Sequence, residues 1–346
     1  MIPHSRPTID EDDAAAVTAV LKSGHLSQGR EVARFESALA SFIGTKTGVA
    51  VSSGTAALHL SLLALRIKRG DEVILPSYVC TAPLNAVHLA TATPVIADID
   101  RDTFNIDVAD VKKRITGQTR AIIVPHLFGL PADLDELQSL GIPVIEDCAM
   151  SIGSRFKGRL AGSFGVVSVF SFYTTKMMAT GEGGMVLSDR DDLIEAIRDL
   201  RDYDEKEGYA VRFNYKMTDL QAALGISQLK KLPLFIEKRK GLAARYDGEL
   251  ESMGAPVPPV PEEREHVYYR YVIRVNDPPA FMERMRRGGV ECRRPVFRPL
   301  HRYLGLKGYT AADDAWDRAV SIPLYPSLQE KEQQDIIRQM KIALRG

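Results

Sequence analysis

Continuous apolar runs that alternate with helical segments constrain the fold of this chain more than any other feature. The runs, which we interpret as strands, are Thr47 to Val51, Glu72 to Leu75, Pro94 to Ile99, Ala121 to Pro125 and Pro143 to Ile145. A strand that is apolar along its length is typical of a sheet buried on both faces, and helical crossovers favour parallel pairing. The sequence therefore predicts an α/β fold with a large, mostly parallel sheet flanked by helices.

The composition changes after a long helical pattern, and this change predicts a second domain. The pattern covers Asp219 to Leu250 and is interrupted near Leu232-Pro233, because a proline removes a helical hydrogen bond. Beyond a proline-rich connection, the predicted elements are the strand Tyr269 to Val275, the helix Pro279 to Arg287 and the strand Val290 to Arg294. We expect a large domain over residues 1–232 and a smaller α+β domain over residues 233–346.

Charge and cysteine content argue against several classes of protein. The 45 Lys and Arg residues equal the 45 Asp and Glu residues, so no basic field favours nucleic acid. The three cysteines, Cys80, Cys148 and Cys292, are too few and too scattered for a disulfide framework or a metal site. We find neither a signal peptide nor a run of ~18 apolar residues. We therefore expect a cytoplasmic protein without a metal, a membrane contact or a nucleic-acid partner.

One lysine, Lys176, follows the predicted strand Val166 to Phe172. Met177 and Met178 come next and predict a poorly hydrated neighbourhood, which favours the neutral amine that forms a Schiff base. Taken alone, a solvent-exposed loop lysine is the more common interpretation. The chemical hypothesis therefore depends on the residues with which Lys176 is combined.

Two further segments supply the other parts of a pyridoxal phosphate site. Ser53 to Ala56 joins a strand to a helix, and the free N–H groups at such a helix start bind phosphate. Asp147 ends a buried strand, where a carboxylate can keep a pyridine nitrogen protonated. A plain helix cap and a loop-capping carboxylate are the ordinary interpretations of each segment alone. In a parallel sheet both segments lie at the carboxyl edge, where ligands bind.

Six motifs occur in the order that is seen in one known family. They are SGHLSQG from Ser23, VSSGTAALHL from Val51, VIEDCA from Val144, SFYTTKMMATGEGG from Ser171, FNYKMTDLQAALG from Phe213 and SIPLYPSL from Ser321. With them the chain resembles, over nearly its whole length, the DegT/DnrJ/EryC1/StrS family of sugar aminotransferases. The resemblance implies the PLP-dependent transferase fold type I, the fold of aspartate aminotransferase, with pyridoxal 5'-phosphate (PLP) as the cofactor.

The resemblance also implies roles for individual residues. Lys176 is expected to hold the cofactor in a Schiff base, and Asp147 is expected to pair with its pyridine nitrogen. The residues expected at the phosphate are Gly54, Thr55 and Ser171, with Ser53 in the same turn. Asn214, in the matching FNYKM segment, is expected to reach the phosphate of a neighbouring subunit. An active homodimer is therefore implied.

Two positions near the cofactor ring depart from the family pattern. Cys80 stands where an aromatic residue usually stacks on the ring, although Tyr78 is near enough in sequence to compensate. Met150 stands where a glutamine or histidine usually lies near the ring oxygen. Because Lys176 and Asp147 are both present, we expect these changes to alter the fit of the ring and not to abolish imine chemistry.

Substrate recognition is predicted less directly. The segment Glu291 to Tyr303 aligns with the family region whose histidine lies near the sugar, which makes His301 a candidate contact. Arg293, Arg294 and Arg298 have the geometry to bind a nucleotide diphosphate or a donor carboxylate, and a solvated basic edge is an equally common interpretation. The predicted substrate residues are Tyr78, Arg294, His301 and, in the SIPLYPSL motif, Tyr325.

The leading hypothesis is a PLP-dependent aminotransferase that moves an amino group from glutamate or glutamine to a nucleotide-linked keto sugar; a cyclitol acceptor stays open. One alternative is a PLP- or PMP-dependent sugar dehydratase, but such relatives carry histidine in place of Lys176. Another is a non-catalytic regulatory protein of the same fold, which Cys80 and Met150 leave open. A dinucleotide-dependent oxidoreductase is weaker, since no GxGxxG opens a helix after a strand.

Overall fold

The computed structural model describes residues 1–345. Its strands are β1 Thr47–Val51, β2 Glu72–Pro76, β3 Thr93–Ala97, β4 Thr119–Pro125, β5 Val144–Asp147, β6 Arg155–Phe156, β7 Arg159–Leu160, β8 Val167–Ser171, β9 Gly184–Ser188, β10 Arg264–Glu265, β11 Tyr271–Arg274 and β12 Ala319–Ile322. Its helices are α1 Glu11–Ser23, α2 Arg30–Ile43, α3 Gly54–Ala64, α4 Ala82–Leu89, α5 Val108–Arg114, α6 Leu134–Ser139, α7 Asp191–Leu200, α8 Asp219–Ser252, α9 Pro278–Arg287, α10 Leu300–Tyr303, α11 Thr310–Arg318 and α12 Glu330–Arg345. Within the described residues, none of these helices has the length and apolar character needed to span a bilayer.

Seven strands form one large sheet in the order β1-β9-β8-β5-β4-β2-β3. β3, β2, β4, β5 and β8 run parallel, whereas β9 is antiparallel to both of its neighbours. Successive residues of β4 join different hydrophobic clusters, with Ile123 in one and Ile122 and Val124 in another. The sheet is thus covered on both faces, and the predicted α/β class with a mostly parallel sheet is confirmed.

The carboxyl ends of three parallel strands meet at one edge of this sheet. Pro125 of β4 lies opposite Asp147 of β5, and Asp147 lies opposite Val169 of β8. The antiparallel β9 begins at the same edge, where Gly184 pairs with both Val51 and Ser171. The loops that follow these strands therefore converge where ligands bind in sheets of this kind.

The helix α8 runs unbroken with Pro233 inside it, so the predicted interruption near Leu232-Pro233 is wrong. A proline inside a helix costs about 3 kcal/mol, but this helix is buried on both sides of the proline. Leu232 packs in a cluster against the large sheet, and Tyr246 packs in the core around β11 and β12. The predicted boundary between residues 232 and 233 would divide one helix, and it stays a prediction.

The carboxy-terminal part has its own core around the antiparallel pair β11 and β12. Residues 290–294 do not form the predicted strand, because only Val290 and Arg293 make isolated bridges, to Ile2 and Ser321 respectively. The two partners belong to different segments, so no single neighbour continues a ladder of hydrogen bonds. The prediction of a strand at Val290 to Arg294 is therefore wrong.

Candidate active site

The start of α3 provides a seat for an anion at the carboxyl edge. Ser53 caps the helix, since its Oγ accepts a hydrogen bond of 3.1 Å from the N–H of Ala56. The N–H groups of Gly54 and Thr55 have no acceptor within the helix, as is general for the first turn. These free N–H groups and the positive end of the helix dipole favour a bound anion.

Two glycines bring Ser171 against this turn. A Cβ atom on Gly54 would lie 2.8 Å from the Cβ of Ser171, and a Cβ on Gly184 would lie 2.4 Å from the carbonyl carbon of Ser53. Either side chain would push β8 or β9 away from the helix start. The hydroxyl of Ser171 consequently lies beside the free N–H groups, and this arrangement of donors fits a phosphate.

Asp147, the last residue of β5, contributes a buried carboxylate to the same edge. One of its oxygens accepts a hydrogen bond of 3.0 Å from the N–H of Ala149, and within residues 1–345 no other hydrogen bond reaches this carboxylate. Burial raises the pKa of Asp147, while the Ala149 N–H and the positive charge of Lys176 oppose that rise. The carboxylate keeps acceptor capacity that a protonated ring nitrogen would use.

Lys176 lies in the loop of residues 172–183, which hydrogen bonds close at its base. The N–H of Phe172 donates to the carbonyl of Gly183 at 2.9 Å. Met177 is buried in the core beside Phe172, so it anchors the loop, whereas Lys176 stays half-buried. The apolar neighbour that the sequence supplies therefore fixes the backbone around the lysine.

The amine of Lys176 lies beside a small group of polar side chains. Its Nζ is 5.3 Å from the centroid of the Tyr269 ring, and its charge acts to lower the pKa values of Asp147 and Cys80. The side chain of Cys80 is exposed to solvent but closely surrounded by protein, and burial raises the pKa of its thiol above the ordinary value. Met150 is half-buried and packs against clusters on both faces of the sheet.

Two of the predicted substrate residues are core residues in this structure. Tyr78 is fully buried, and its hydroxyl donates to the carbonyl of Ala315 at 3.3 Å. His301 is also buried, with its Nδ1 2.5 Å from the Ser77 hydroxyl and its Nε2 3.1 Å from Asp313. Both side chains therefore already have polar partners within the chain, and their contact with substrate stays a prediction.

The remaining predicted substrate residues have local partners. Arg293 pairs with Glu291 at 2.7 Å, the guanidinium of Arg294 lies 4.5 Å from the Trp316 ring centroid, and that of Arg298 lies 5.2 Å from the Tyr303 ring centroid. Tyr325 is fully buried, and its hydroxyl has no partner within residues 1–345. Their contact with substrate stays a prediction.

Asn214 lies on a segment that is tied to its surroundings through the backbone. Its neighbours bond to the end of α7, since the N–H groups of Phe213 and Tyr215 donate to Leu200 and Arg201 at 2.8 and 3.0 Å. The carbonyl of Tyr215 also accepts from the N–H of Ser52 at 2.7 Å. The Asn214 side chain is exposed, so a fixed backbone presents a free amide at the surface.

Comparison with known proteins identifies the chain. The model of the DegT/DnrJ/EryC1/StrS aminotransferase family matches residues 7–341. The chain belongs to this family. The resemblance read from the six motifs is confirmed, and the protein is a PLP-dependent aminotransferase.

Relatives match this aminotransferase along its whole length. The spore coat polysaccharide biosynthesis protein SpsC of Bacillus subtilis is 35% identical over 379 residues, which cover 100% of this chain and 97% of SpsC. A GDP-perosamine synthase of Vibrio cholerae is 32% identical over 362 residues, with 99% and 98% covered. A Streptococcus pneumoniae protein solved in its PLP-form superposes with a TM-score of 0.93 at 27% identity, with 99% and 98% covered. The predicted fold of PLP-dependent transferases is confirmed.

Sequence reasoning missed Tyr269 in this aminotransferase, although it lies next to Lys176. The ring is almost fully buried, and its hydroxyl is 3.3 Å from the Thr175 hydroxyl. Burial acts to raise the pKa of Tyr269, but the positive charges of Lys176 and Arg270 outweigh it and bring the pKa to about 8. No motif marks this residue, because it comes from the segment just before β11 and reaches the lysine loop only in the folded chain.

Glu146, the neighbour of Asp147, has a structural role in the aminotransferase. One of its oxygens accepts from the N–H groups of Phe164 and Gly165 at 2.7 and 2.6 Å, and the other accepts from the N–H of Gly162 at 2.8 Å and from His126 Nε2 at 3.0 Å. Nε2 of His126 carries the proton, because Nδ1 accepts a backbone N–H. A fully buried carboxylate thus fixes the loop that leads into β8.

We expect Glu146→Gln to lower the free energy of unfolding at pH 7 by about 2–4 kcal/mol, because an amide cannot accept all four hydrogen bonds. Burial acts to raise the pKa of Glu146, but His126 and the backbone N–H groups outweigh it, so the folded-state pKa is lowered. The stabilisation is therefore present above the unfolded pKa of about 4.3 and is lost as the pH falls through the folded value. Urea unfolding across this range should show a smaller pH dependence in the variant, whereas Glu262→Gln at an exposed position should behave as wild type.

Proposed function

We propose that this aminotransferase transfers the amino group of glutamate or glutamine to the keto group of a nucleotide-linked sugar. One observation carries the proposal: the free N–H groups at Gly54, the carboxylate of Asp147 and the amine of Lys176 converge at one edge of the sheet. The name of the Vibrio cholerae relative, a GDP-perosamine synthase, supports a nucleotide-linked sugar as the acceptor.

Pyridoxal phosphate, when bound, supplies an aldehyde that condenses with amines and a ring that accepts electrons. The residues that would hold its phosphate, through N–H and hydroxyl groups, are Ser53, Gly54, Thr55 and Ser171. Asp147 would accept a hydrogen bond from the ring nitrogen and keep that nitrogen protonated. Cys80 and Met150 would border the ring, in place of an aromatic and a polar side chain.

Lys176 carries the proton transfers in this proposal. Its Nζ would hold the cofactor between reactions and would be free to act as a base once a substrate is bound. The neutral Nζ then takes the proton from the α-carbon of the donor. In the second half reaction the same atom delivers a proton to the sugar carbon that gains the amino group. A lysine on a loop closed by hydrogen bonds suits these tasks because its position is fixed while its amine stays accessible.

The proposal includes a homodimer in which Asn214 completes the neighbouring site. The exposed amide of Asn214 has no hydrogen-bond partner within the described part of the chain, although its backbone is held by Ser52 and α7. An amide presented in this way is suited to donate to a phosphate of a second chain.

We expect Asn214→Ala to weaken cofactor binding by about tenfold, because a hydrogen bond to a charged group contributes about 1.5 kcal/mol or more. Hybrid dimers of Asn214→Ala and Lys176→Ala chains should be more active than either parent, since one of their two sites contains both wild-type residues. Two affinity tags allow the hybrid to be purified and its rate measured at limiting cofactor. A hybrid of Lys176→Ala with Asp147→Asn is the matched control, because both residues come from one chain and no intact site forms. A first hybrid no more active than the Asn214→Ala parent would contradict the shared site.

The acceptor is tested by incubating the enzyme with glutamate or glutamine and a panel of nucleotide-linked keto sugars and keto cyclitols. A nucleotide-linked amino sugar formed together with the keto acid, detected by mass spectrometry, would support the proposal. An aminated cyclitol alone would overturn the acceptor class, and loss of water from the sugar would favour a dehydratase. Bound cofactor without turnover on any acceptor or donor would favour a regulatory protein.

A further inference from the structure

A recess beside Lys176 is lined by two arginines, Arg239 and Arg270, that have no role in holding the cofactor. Its walls include His4, Thr175, Arg239, Tyr269 and Arg270. Thr175 precedes the lysine in the chain, and its hydroxyl contacts that of Tyr269. The recess therefore adjoins the reacting amine, while its other walls come from α8, from the residues before β11, from β12 and from the amino-terminal segment.

Arg270 lines the recess and has no acidic partner within residues 1–345. Its guanidinium lies 5.3 Å from the centroid of the Tyr269 ring, and Nη1 lies 3.4 Å from His4 Nε2. Its Nε is buried without a hydrogen-bond partner. Arg274, four residues later, pairs with Asp314 at 2.5 Å. The charge of Arg270 is thus left for a ligand.

His4 holds Arg270 without neutralising it. Burial, followed by the positive charges of Arg270 and Arg293, lowers the pKa of His4 to about 3, so the imidazole is neutral at physiological pH. Because arginine only donates, His4 Nε2 is the acceptor, and the Ser321 hydroxyl lies 2.8 Å from the same nitrogen. His4 is therefore a positioning residue for the guanidinium.

A second buried arginine strengthens the positive potential of the recess. Arg239 is only 4% exposed, and its Nη1 donates to the carbonyls of Tyr268, Tyr269 and Leu324 at 2.9–3.2 Å. Burial lowers its pKa to about 10, so it stays charged at neutral pH. Three cations, those of Lys176, Arg239 and Arg270, surround one tyrosine in a chain whose net charge is zero.

We propose that Arg270 binds the α-carboxylate of the amino-acid donor and so places the donor amine at Lys176. Lys176 Nζ and the Arg270 guanidinium each lie 5.3 Å from the Tyr269 ring centroid, so at most about twice this distance separates them, a span that an amino acid bound between them bridges. An α-amino acid carries an amine and a carboxylate on one carbon, and a guanidinium fork matches a carboxylate with two hydrogen bonds. The inference rests on the proposed function and assigns the residue that recognises the amino-acid donor. The alternative ligand for Arg270 is the diphosphate of the sugar nucleotide.

The test uses Arg270→Gln in the cofactor-loaded enzyme. Glutamate alone converts the cofactor, and the change in its absorbance gives the rate of the donor half reaction without any sugar. We expect the second-order rate constant for glutamate to fall by about 10- to 100-fold, because a charge-assisted contact is lost. The KM for the keto sugar should stay unchanged. Arg274→Gln, which removes an arginine that is paired with Asp314, is the control and should leave both quantities at wild-type values.

Binding gives a readout that is independent of turnover. Calorimetry with 2-oxoglutarate, which carries the same α-carboxylate but no amine, should show a loss of affinity of the same size in Arg270→Gln. Arg270→Lys keeps the charge but not the forked pair of donors, so its affinity for 2-oxoglutarate should fall less than that of Arg270→Gln. It replaces the glutamine variant in the test if that variant does not fold.

The outcomes separate this inference from the function on which it rests. Unchanged rates with glutamate and unchanged binding of 2-oxoglutarate would overturn the role of Arg270 while leaving the aminotransferase proposal intact. A raised KM for the keto sugar alone would assign Arg270 to the nucleotide and also overturn it. A wild-type enzyme whose cofactor no amino acid converts would overturn the proposed function itself.

Discussion

Replacing Lys176 with alanine should abolish transamination, with a loss in turnover of roughly 10⁴-fold, because the amine both holds the cofactor and transfers the proton. The visible absorbance of the lysine-bound cofactor should disappear in the same variant. The free energy of unfolding should change little, since the side chain is only half-buried while Met177 anchors the loop. Steady-state rates, absorbance spectra and urea unfolding measure these three quantities.

Lys112→Ala is the matched control for this variant. Lys112 lies on α5, half its side chain is exposed, and it pairs with Glu136 at 3.4 Å, so its loss should alter neither the rate nor the spectrum. A Lys176→Ala enzyme that transaminates at the rate of the control would refute the assignment of the reacting amine. Loss of the spectrum with retained turnover would refute it equally.

Replacing Asp147 with asparagine should lower turnover by about 10²- to 10³-fold, even at saturating cofactor. Asparagine keeps the size of the side chain but not the charge that would stabilise a protonated ring nitrogen, and removal of one preorganised polar group at a reacting centre costs a factor of this size. The rate should be measured at several cofactor concentrations, so that a weaker affinity is separated from a slower reaction.

Two control substitutions help to interpret the result for Asp147→Asn. Asp135→Asn removes an exposed carboxylate that pairs with Lys157 at 2.7 Å, and its rate should equal that of wild type. Asp147→Glu keeps the charge on a longer side chain, so its rate should lie between those of wild type and Asp147→Asn. Wild-type turnover in Asp147→Asn with cofactor bound would show that the carboxylate has no electronic role.

The sheet and the parts of the site at strand ends were predictable because their signals are local. A continuous apolar run such as Ala121 to Pro125 identifies a buried strand, and parallel pairing then brings Asp147 and the turn at Ser53 to one edge. Six ordered motifs identified the family. The close approach of Ser171 to the helix start, which the glycines Gly54 and Gly184 permit, is a contact between distant segments that no local pattern encodes.

Contacts between distant segments were not predictable from the sequence. Tyr269 contacts Thr175 of the lysine loop although the two are 94 positions apart in the chain. Arg270 contacts His4 although they are 266 positions apart, so no sequence motif reveals either contact. The interruption expected at Pro233 fails for the same reason, since burial against two cores offsets a local cost. His301 reads as a polar candidate, but Ser77 and Asp313 occupy its nitrogens only after folding.

The pleat of β5 sends two consecutive carboxylates to opposite faces. Glu146 is bound by the backbone of residues 162–165, and Asp147 lies in the field of Lys176. Evolution can therefore exchange side chains around Asp147 without weakening the loop that Glu146 holds. An insertion or deletion of one residue in β5 would swap the two carboxylates and remove both functions together. We therefore expect the active site to tolerate substitutions around Asp147 but not an insertion or deletion in β5.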